Sequence, residues 1–150
     1  MDPQELSDRL EIRELLDRYS HSVDFMDWEL LETVFTVDAT VDYTALADYF
    51  GDRPHFARGF DAIRQLYEII IPPTYGTFHF MTNHLIVLSG DEARVRTYMH
   101  VGAGQGLSGL YQCGVVRTDA GWRIREYTWV AHMREQPADA EQVRAWIRGA

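Results

Sequence analysis

From residue 77 to residue 133 the sequence carries four long runs of strand-like alternation separated by turn signals, and this constrains the fold more than any other feature. In residues 77–89, Thr77, His79, Met81 and Asn83 share one face of an extended chain, while Phe78, Phe80, Thr82 and His84 share the other. Gly90-Asp91 marks a hairpin turn. In the next run Ala93, Val95, Thr97, Met99 and Val101 oppose Arg94, Arg96, Tyr98 and His100. After the glycine-rich stretch GAGQGLSG comes LYQCGVVRT, then a turn at Asp119-Ala120-Gly121, then WRIREYTWVAHM. Four long strands in succession imply an antiparallel sheet with one dry face, and that face needs a cover.

The first 70 residues supply the cover. Leu6, Leu10, Leu15, Leu16, Tyr19 and Val23 recur at helical spacing behind Pro3 and Ser7. The opposite face carries mixed charge and reads as solvated. Asp27 stands at an N-cap position before Trp28, Leu30, Leu31, Val34 and Phe35, so a short second helix follows at once. A short strand is expected in ATVDYT, from Asp38 on, with Val41 and Tyr43 on its apolar side. Residues 44–58 read as a loop or short strand pair, with the option of a lid. A third helix starts at Gly59, carries Ile63, Leu66, Tyr67 and Ile70 on one face, and is stopped by Pro72-Pro73. Pro137 ends the last strand, and residues 140–147 are expected to form a terminal turn of helix. The fold class is therefore α+β: a cone-like, curved antiparallel sheet with the N-terminal helices on its concave face, an α+β barrel. One domain is expected over residues 1–150, with a core of about 5–132 and a tail of 133–150.

Composition narrows the chemistry. A net charge of -9, with 23 acids against 14 bases, argues against a nucleic-acid or anionic-membrane surface. One cysteine, Cys113, can form neither an internal disulfide nor a thiolate metal cluster. Every basic residue is arginine, which removes lysine bases and Schiff-base mechanisms. The N-terminus does not resemble a signal peptide or membrane span, so the cytoplasm is the expected compartment. The histidines at 21, 55, 79, 84, 100 and 132 lack metal-ligand spacing, and GAGQGLSG opens no helix, so neither a metal nor a cofactor is expected.

Chemistry concentrates in YSHSVDFMDW, residues 19–28. Here the first helix runs out and leaves the carboxylate of Asp24 among free carbonyls, where it needs a donor or a cation. His79, in TFHFMTNH, is the candidate partner. An imidazole ordinarily titrates near ~6.5 and is a natural base at neutral pH, and an adjacent carboxylate fixes its tautomer. A tyrosine hydroxyl can donate to an oxygen as negative charge grows there, which suits Tyr43 and also Tyr111. The blander alternatives are a helix-ending acid paired with an arginine, a core histidine, and a packed tyrosine with a satisfied hydroxyl.

The segments EIRELLDRYSHSVDFMDWELLETVFTVDATVDY, GFDAI, TFHFMTNH and GLYQCGVVRTDAGWRI, in that order, resemble the SnoaL-like branch of the nuclear transport factor two-like superfamily. Within it the chain is similar to scytalone dehydratase and hexachlorocyclohexane dehydrochlorinase, enzymes that abstract a proton and eliminate water or chloride. The resemblance implies that Asp24 and His79 are their Asp/His pair and that Tyr43 is the dehydratase tyrosine. Tyr19, Asn83, Met99, Tyr111 and Trp129 are the expected lining of a pocket for a small, apolar, cyclic substrate of polyketide or steroid type. Two departures stand out. Val23 precedes Asp24 where the dehydratase has a tyrosine, and Cys113 stands where many SnoaL-like chains carry an acid. His100, which alternation places with Arg94 and Arg96, is not carried over. The expected activity is that of a dehydratase-like lyase or isomerase; the alternatives are a non-catalytic binding or assembly module and the small subunit of a ring-hydroxylating dioxygenase. An outer face carrying Tyr98, Val116, Ile124 and Trp129 is expected to support a homodimer or homotrimer.

Overall fold

A computed structural model describes residues 2–71, 78–102 and 107–133, the last three as backbone alone. Helix α1, Pro3–Asp24, opens with Asp2 as N-cap, its carboxylate accepting from the Glu5 amide, and with Pro3 in the first turn, where no amide donor is needed. It buries Ile12, Leu15, Leu16, Tyr19 and Val23 along one stripe, each contributing about 1.5–3 kcal/mol of apolar transfer. It ends in a Schellman turn. The Met26 amide reaches Val23 O at 3.4 Å and the Asp27 amide reaches Ser22 O at 2.8 Å, with Met26 in the left-handed region at φ 53°. The Asp27 carboxylate then caps helix α2, Trp28–Glu32, through the Leu30 amide at 2.9 Å.

Helix α2 is shorter than the apolar pattern suggested, because the chain turns extended at Phe35. Strand β1 is Phe35–Asp42, starting three residues before Asp38. A 3-10 turn, Thr44–Leu46, and helix α3, Ala47–Phe50, bring Leu46 and Phe50 into the core. Strand β2, Phe56–Arg58, pairs antiparallel with β1. Residues 44–58 thus contribute Leu46, Phe50 and Ala57 to the core. Helix α4, Phe60–Ile70, follows Gly59, whose φ of 82° suits glycine. Pro72-Pro73, the expected stop, lies outside the described residues, as do Pro137 and the expected terminal helix.

Strands β3 (Phe78–Ser89), β4 (Glu92–Gly102), β5 (Leu107–Thr118) and β6 (Gly121–Met133) form the expected meander. The sheet order is β2-β1-β6-β5-β4-β3. It is mixed rather than purely antiparallel, because β1 returns alongside β6 in parallel. That pairing makes β6 an internal strand and turns Ile124 and Trp129 into buried side chains, so neither contributes to an outer face. Exposed apolar side chains sit instead at Phe78, Phe80, Leu85, Val87, Tyr98 and Val130.

Helix α1 packs against both β3 and β6, although two strands lie between them. Strands stand about 4.8 Å apart, so one helix roughly 10 Å wide touches both only if the sheet curls around it. Among the described residues β3 is an edge strand, and the helix covers that edge. Arg9 Nη1 donates to Ile86 O at 3.0 Å near one end, and the His79 amide donates to Asp24 near the other. Far from Asp24, Asp8 fastens the start of α1 to the sheet. It accepts from Arg117 Nη2 at 2.7 Å, Trp122 Nε1 at 3.2 Å and Gln4 Nε2 at 3.0 Å, while the Arg117 guanidinium lies over the Trp122 ring at 4.6 Å. Among the described residues no helix is long and apolar enough to cross a membrane.

Candidate active site

The end of α1 and the start of β3 bring Asp24 and His79 together. His79 Nδ1 lies 2.5 Å from Asp24 Oδ1, and the His79 backbone amide donates to Oδ2 at 2.9 Å and Oδ1 at 3.2 Å. Both side chains are about nine-tenths buried, with 8% and 10% exposure. The carboxylate that a helix C-terminus disfavours is therefore held by two donors from one residue, one of them backbone. An ionised carboxylate only accepts, so the neutral imidazole carries its proton on Nδ1 and keeps the Nε2 lone pair free. That is the arrangement of a base with an orienting acid.

Behind the pair lies a block of tyrosines. Tyr19, from α1, sets its ring edge-on to His79 with centroids 6.3 Å apart. Its hydroxyl lies 3.3 Å from those of both Tyr43 and Tyr67, and Tyr43 and Tyr67 are also 3.3 Å apart. Tyr111 adds a fourth hydroxyl, donating to Tyr43 at 3.5 Å. Tyr127 stacks on Tyr111 at 4.2 Å and tilts against Tyr19 at 4.6 Å. All five rings are buried. Burial raises every one of these phenols above its ordinary range, since a phenolate would be desolvated. For Tyr43 its hydrogen bonds with Tyr111, Tyr19 and Tyr67 act in the opposite direction. Cys113 is buried beside them, and burial pushes its thiol well above its ordinary value.

The remaining expected pocket residues divide. Met99 pairs with Met81 across β3 and β4 and is buried on the His79 side. Trp129 packs edge-on against Tyr111 at 4.9 Å. Asn83 is a correction. Register slips between Thr82 and Leu85, and Asn83 sits on a bulge at φ 57°, exposed to solvent and off the face of His79 and Met81. Past the bulge the inward parity changes to His84 and Ile86. The buried Thr97 hydroxyl secures it, 2.8 Å from His84 Nδ1 and donating to Thr82 O at 3.1 Å. Desolvation lowers the His84 pKa, aided by Arg13 and opposed by Asp17. Sequence alternation assigned Tyr67 only to an apolar helix face and gave Tyr127 no role. The signal was present in the count of eight tyrosines, but not in any local spacing. His100 bonds Ser108 on the outer surface, away from this cluster. Among the described residues no group of His, Cys, Asp and Glu is placed to hold a metal ion.

A helix enclosed by a curled sheet, with an acid–imidazole pair at the helix end, defines an α+β domain of the nuclear transport factor two-like class. More particularly, residues 4–128 match the SnoaL-like domain, and the chain belongs to that family. An uncharacterised protein of Mycobacterium tuberculosis is 35% identical over 129 residues, covering 80% of this chain and 82% of its own length. A provisionally assigned aromatic ring hydroxylase from Novosphingobium aromaticivorans is 28% identical, with TM-score 0.72, over 89% of this chain and 94% of that one. A provisionally assigned scytalone dehydratase from the same organism shares the fold at 24% identity and TM-score 0.70, over 91% of this chain and 93% of that one.

Proposed function

We propose that this SnoaL-like protein is a lyase or isomerase that removes a proton from a small, apolar, cyclic substrate. The contact of Asp24 with both Nδ1 and the backbone amide of His79 supports this most directly. It fixes the tautomer and the ring position together, and a positioned imidazole base contributes about 10²–10⁴-fold. The substrate C–H proton passes to His79 Nε2. The electron pair left behind enters a new carbon–carbon double bond, and negative charge collects on a substrate oxygen near Tyr43 or departs with a leaving group. Asp24 stabilises the imidazolium that results. The proton then returns to a different carbon in an isomerisation, or leaves with the expelled group in an elimination.

The test is deuterium uptake from D2O into a panel of enolisable cyclic ketones, followed by mass spectrometry. Wild-type protein should accelerate uptake into at least one member. Asp24→Asn and His79→Ala should each reduce that rate by at least about a hundredfold while keeping the wild-type circular dichroism. Full activity in either variant would remove the dyad from the chemistry. Ligand binding without uptake, retained when both residues are replaced, would favour a binding module.

A further inference from the structure

Among the described residues, hydrogen bonds fasten helix α1 to strand β3 near both ends. The His79 amide donates to Asp24, and Ile86 O accepts from Arg9. In a regular strand the backbone groups that face one edge belong to alternate residues, so an odd separation puts them on opposite edges. Residues 79 and 86 are seven apart. A regular β3 would therefore turn one of these groups toward β4. The extra residue of the bulge removes the conflict. Register runs Thr82↔Tyr98 and then Leu85↔Arg96, so Asn83 and His84 together oppose Thr97. The side chains follow the same switch: His79 and Met81 face inward before the bulge and Ile86 after it, while Leu85 and Val87 are exposed. Thr97 holds the bulge from β4 and is completely buried, at 0% exposure. Its single hydroxyl proton goes to Thr82 O at 3.1 Å, with Tyr98 O next at 3.3 Å. The oxygen is then an acceptor for His84 Nδ1 at 2.8 Å, which makes Nδ1 the protonated nitrogen of neutral His84. One side chain thus joins the residue before the bulge to the residue that completes it.

We propose that Thr97, with His84, is a positioning residue for proton transfer: it holds the extra residue of β3 at Asn83 and so keeps the amide and ring of His79 in register with Asp24. The catalytic meaning of this assignment rests on the acid–base reading above. Without the bridge nothing at Thr97 fixes where along β3 the extra residue sits. A slip of one residue between Asn83 and His79 turns the His79 amide toward β4 and its ring to the outer face. Smaller displacements also matter, since a misplacement of about 1 Å at the reacting groups costs about a hundredfold in rate. Thr97 therefore acts on the chemistry through the strand, without touching either member of the pair.

The test compares 15N-labelled wild type with Thr97→Val, Thr97→Ser and His84→Leu. Two readouts need no substrate: the His79 tautomer by long-range proton–nitrogen NMR, and hydrogen exchange of the His79 amide relative to the amides of β5. Wild type should show Nδ1–H for His79 and a protected amide. Thr97→Val keeps the shape and removes the hydroxyl. It should speed relative exchange of the His79 amide by about tenfold or more and lower the Nδ1–H fraction. Deuterium uptake should fall by about tenfold to a hundredfold, in kcat rather than in KM. Thr97→Ser should bring all three back to within about threefold of wild type. His84→Leu, which removes only the ring's half of the bridge, should show the same changes in smaller measure and keeps the test decisive if valine at position 97 unfolds the protein. A lower unfolding temperature in Thr97→Val with unchanged His79 tautomer and relative exchange would make the role merely structural and overturn the proposal. So would failure of serine to rescue. Absence of uptake in wild type, with the tautomer and exchange changes as expected, would overturn the acid–base reading alone. Uptake at full rate in Thr97→Val would overturn this inference alone.

Discussion

Replacing Asp24 by asparagine exchanges one carboxylate oxygen for an NH2 group and should reverse the imidazole. In the native site the carboxylate accepts from His79 Nδ1 at 2.5 Å and from the His79 amide at 2.9 Å and 3.2 Å. The backbone amide can only donate, so the single oxygen of the introduced carboxamide must turn to it. The NH2 of that carboxamide then faces Nδ1, which has to accept, and the imidazole proton moves to Nε2. The number of contacts is nearly conserved, so stability should fall by only about 1–2 kcal/mol, the difference between charge-assisted and neutral bonds. The free lone pair on Nε2 is lost, and with it roughly 10³–10⁴ of rate, as when other orienting acids are neutralised. Long-range proton–nitrogen NMR on 15N-histidine protein, at a pH where imidazole is neutral, reads the protonated nitrogen directly. Wild type should show Nδ1–H for His79, and Asp24→Asn should show Nε2–H. An Nε2–H tautomer in wild type, or no change in the variant, would refute the reasoning without any substrate being known.

Two further outcomes concern the scaffold. The hydrogen bond from Arg117, with smaller contributions from Gln4 and Trp122, outweighs desolvation and lowers the Asp8 carboxyl from 3.8 to about 2. Because the folded value lies below the unfolded one, the stabilisation is present above about pH 4 and disappears as pH falls toward about 2. Its upper limit is about 2.5 kcal/mol, reduced by solvent screening because the Arg117 side chain is 29% exposed. Urea unfolding of wild type and Asp8→Asn should therefore differ at pH 6 and converge by about pH 2; a gap that persists in acid would contradict this account. At the bulge, Asn83→Gly should change stability by no more than about 0.5 kcal/mol and Asn83→Val should cost about 1–2 kcal/mol, because φ 57° excludes a β-branched residue. In a regular strand valine would be preferred to glycine, so thermal melts of the two variants separate the bulge from the simple alternation.

The order of elements was legible because each long segment keeps one period. Leu15, Leu16, Tyr19 and Val23 read as a helix stripe, and Val95, Thr97 and Met99 as the dry side of a strand; all are buried. The parallel pairing of β1 with β6 was not legible, because it joins residues more than eighty positions apart and leaves no local pattern. Its consequence, the burial of Ile124 and Trp129, was hidden with it. Asn83 failed for a related reason: alternation carried unchanged from Met81 to Ser89 cannot show a bulge, and the left-handed tolerance of asparagine was the only clue.

Asp24 and His79 were found because a helix-ending acid raises a question about its partner, and a strand rich in polar, hydrogen-bonding side chains offered the answer. What the question did not reveal is that the His79 backbone answers as well as its ring. That bond ties the acid to β3, an edge strand of the sheet among the described residues, where an unpaired amide would otherwise invite another strand. Asp24 thus closes the sheet edge and orients the imidazole with the same two oxygens. Asp24→Ala would remove both functions, leaving the His79 amide without its acceptor, whereas Asp24→Asn keeps the edge closed and removes only the orientation. Loss of folding in the alanine variant is consequently uninformative about chemistry, and the asparagine variant is the one in which scaffold and proton transfer come apart.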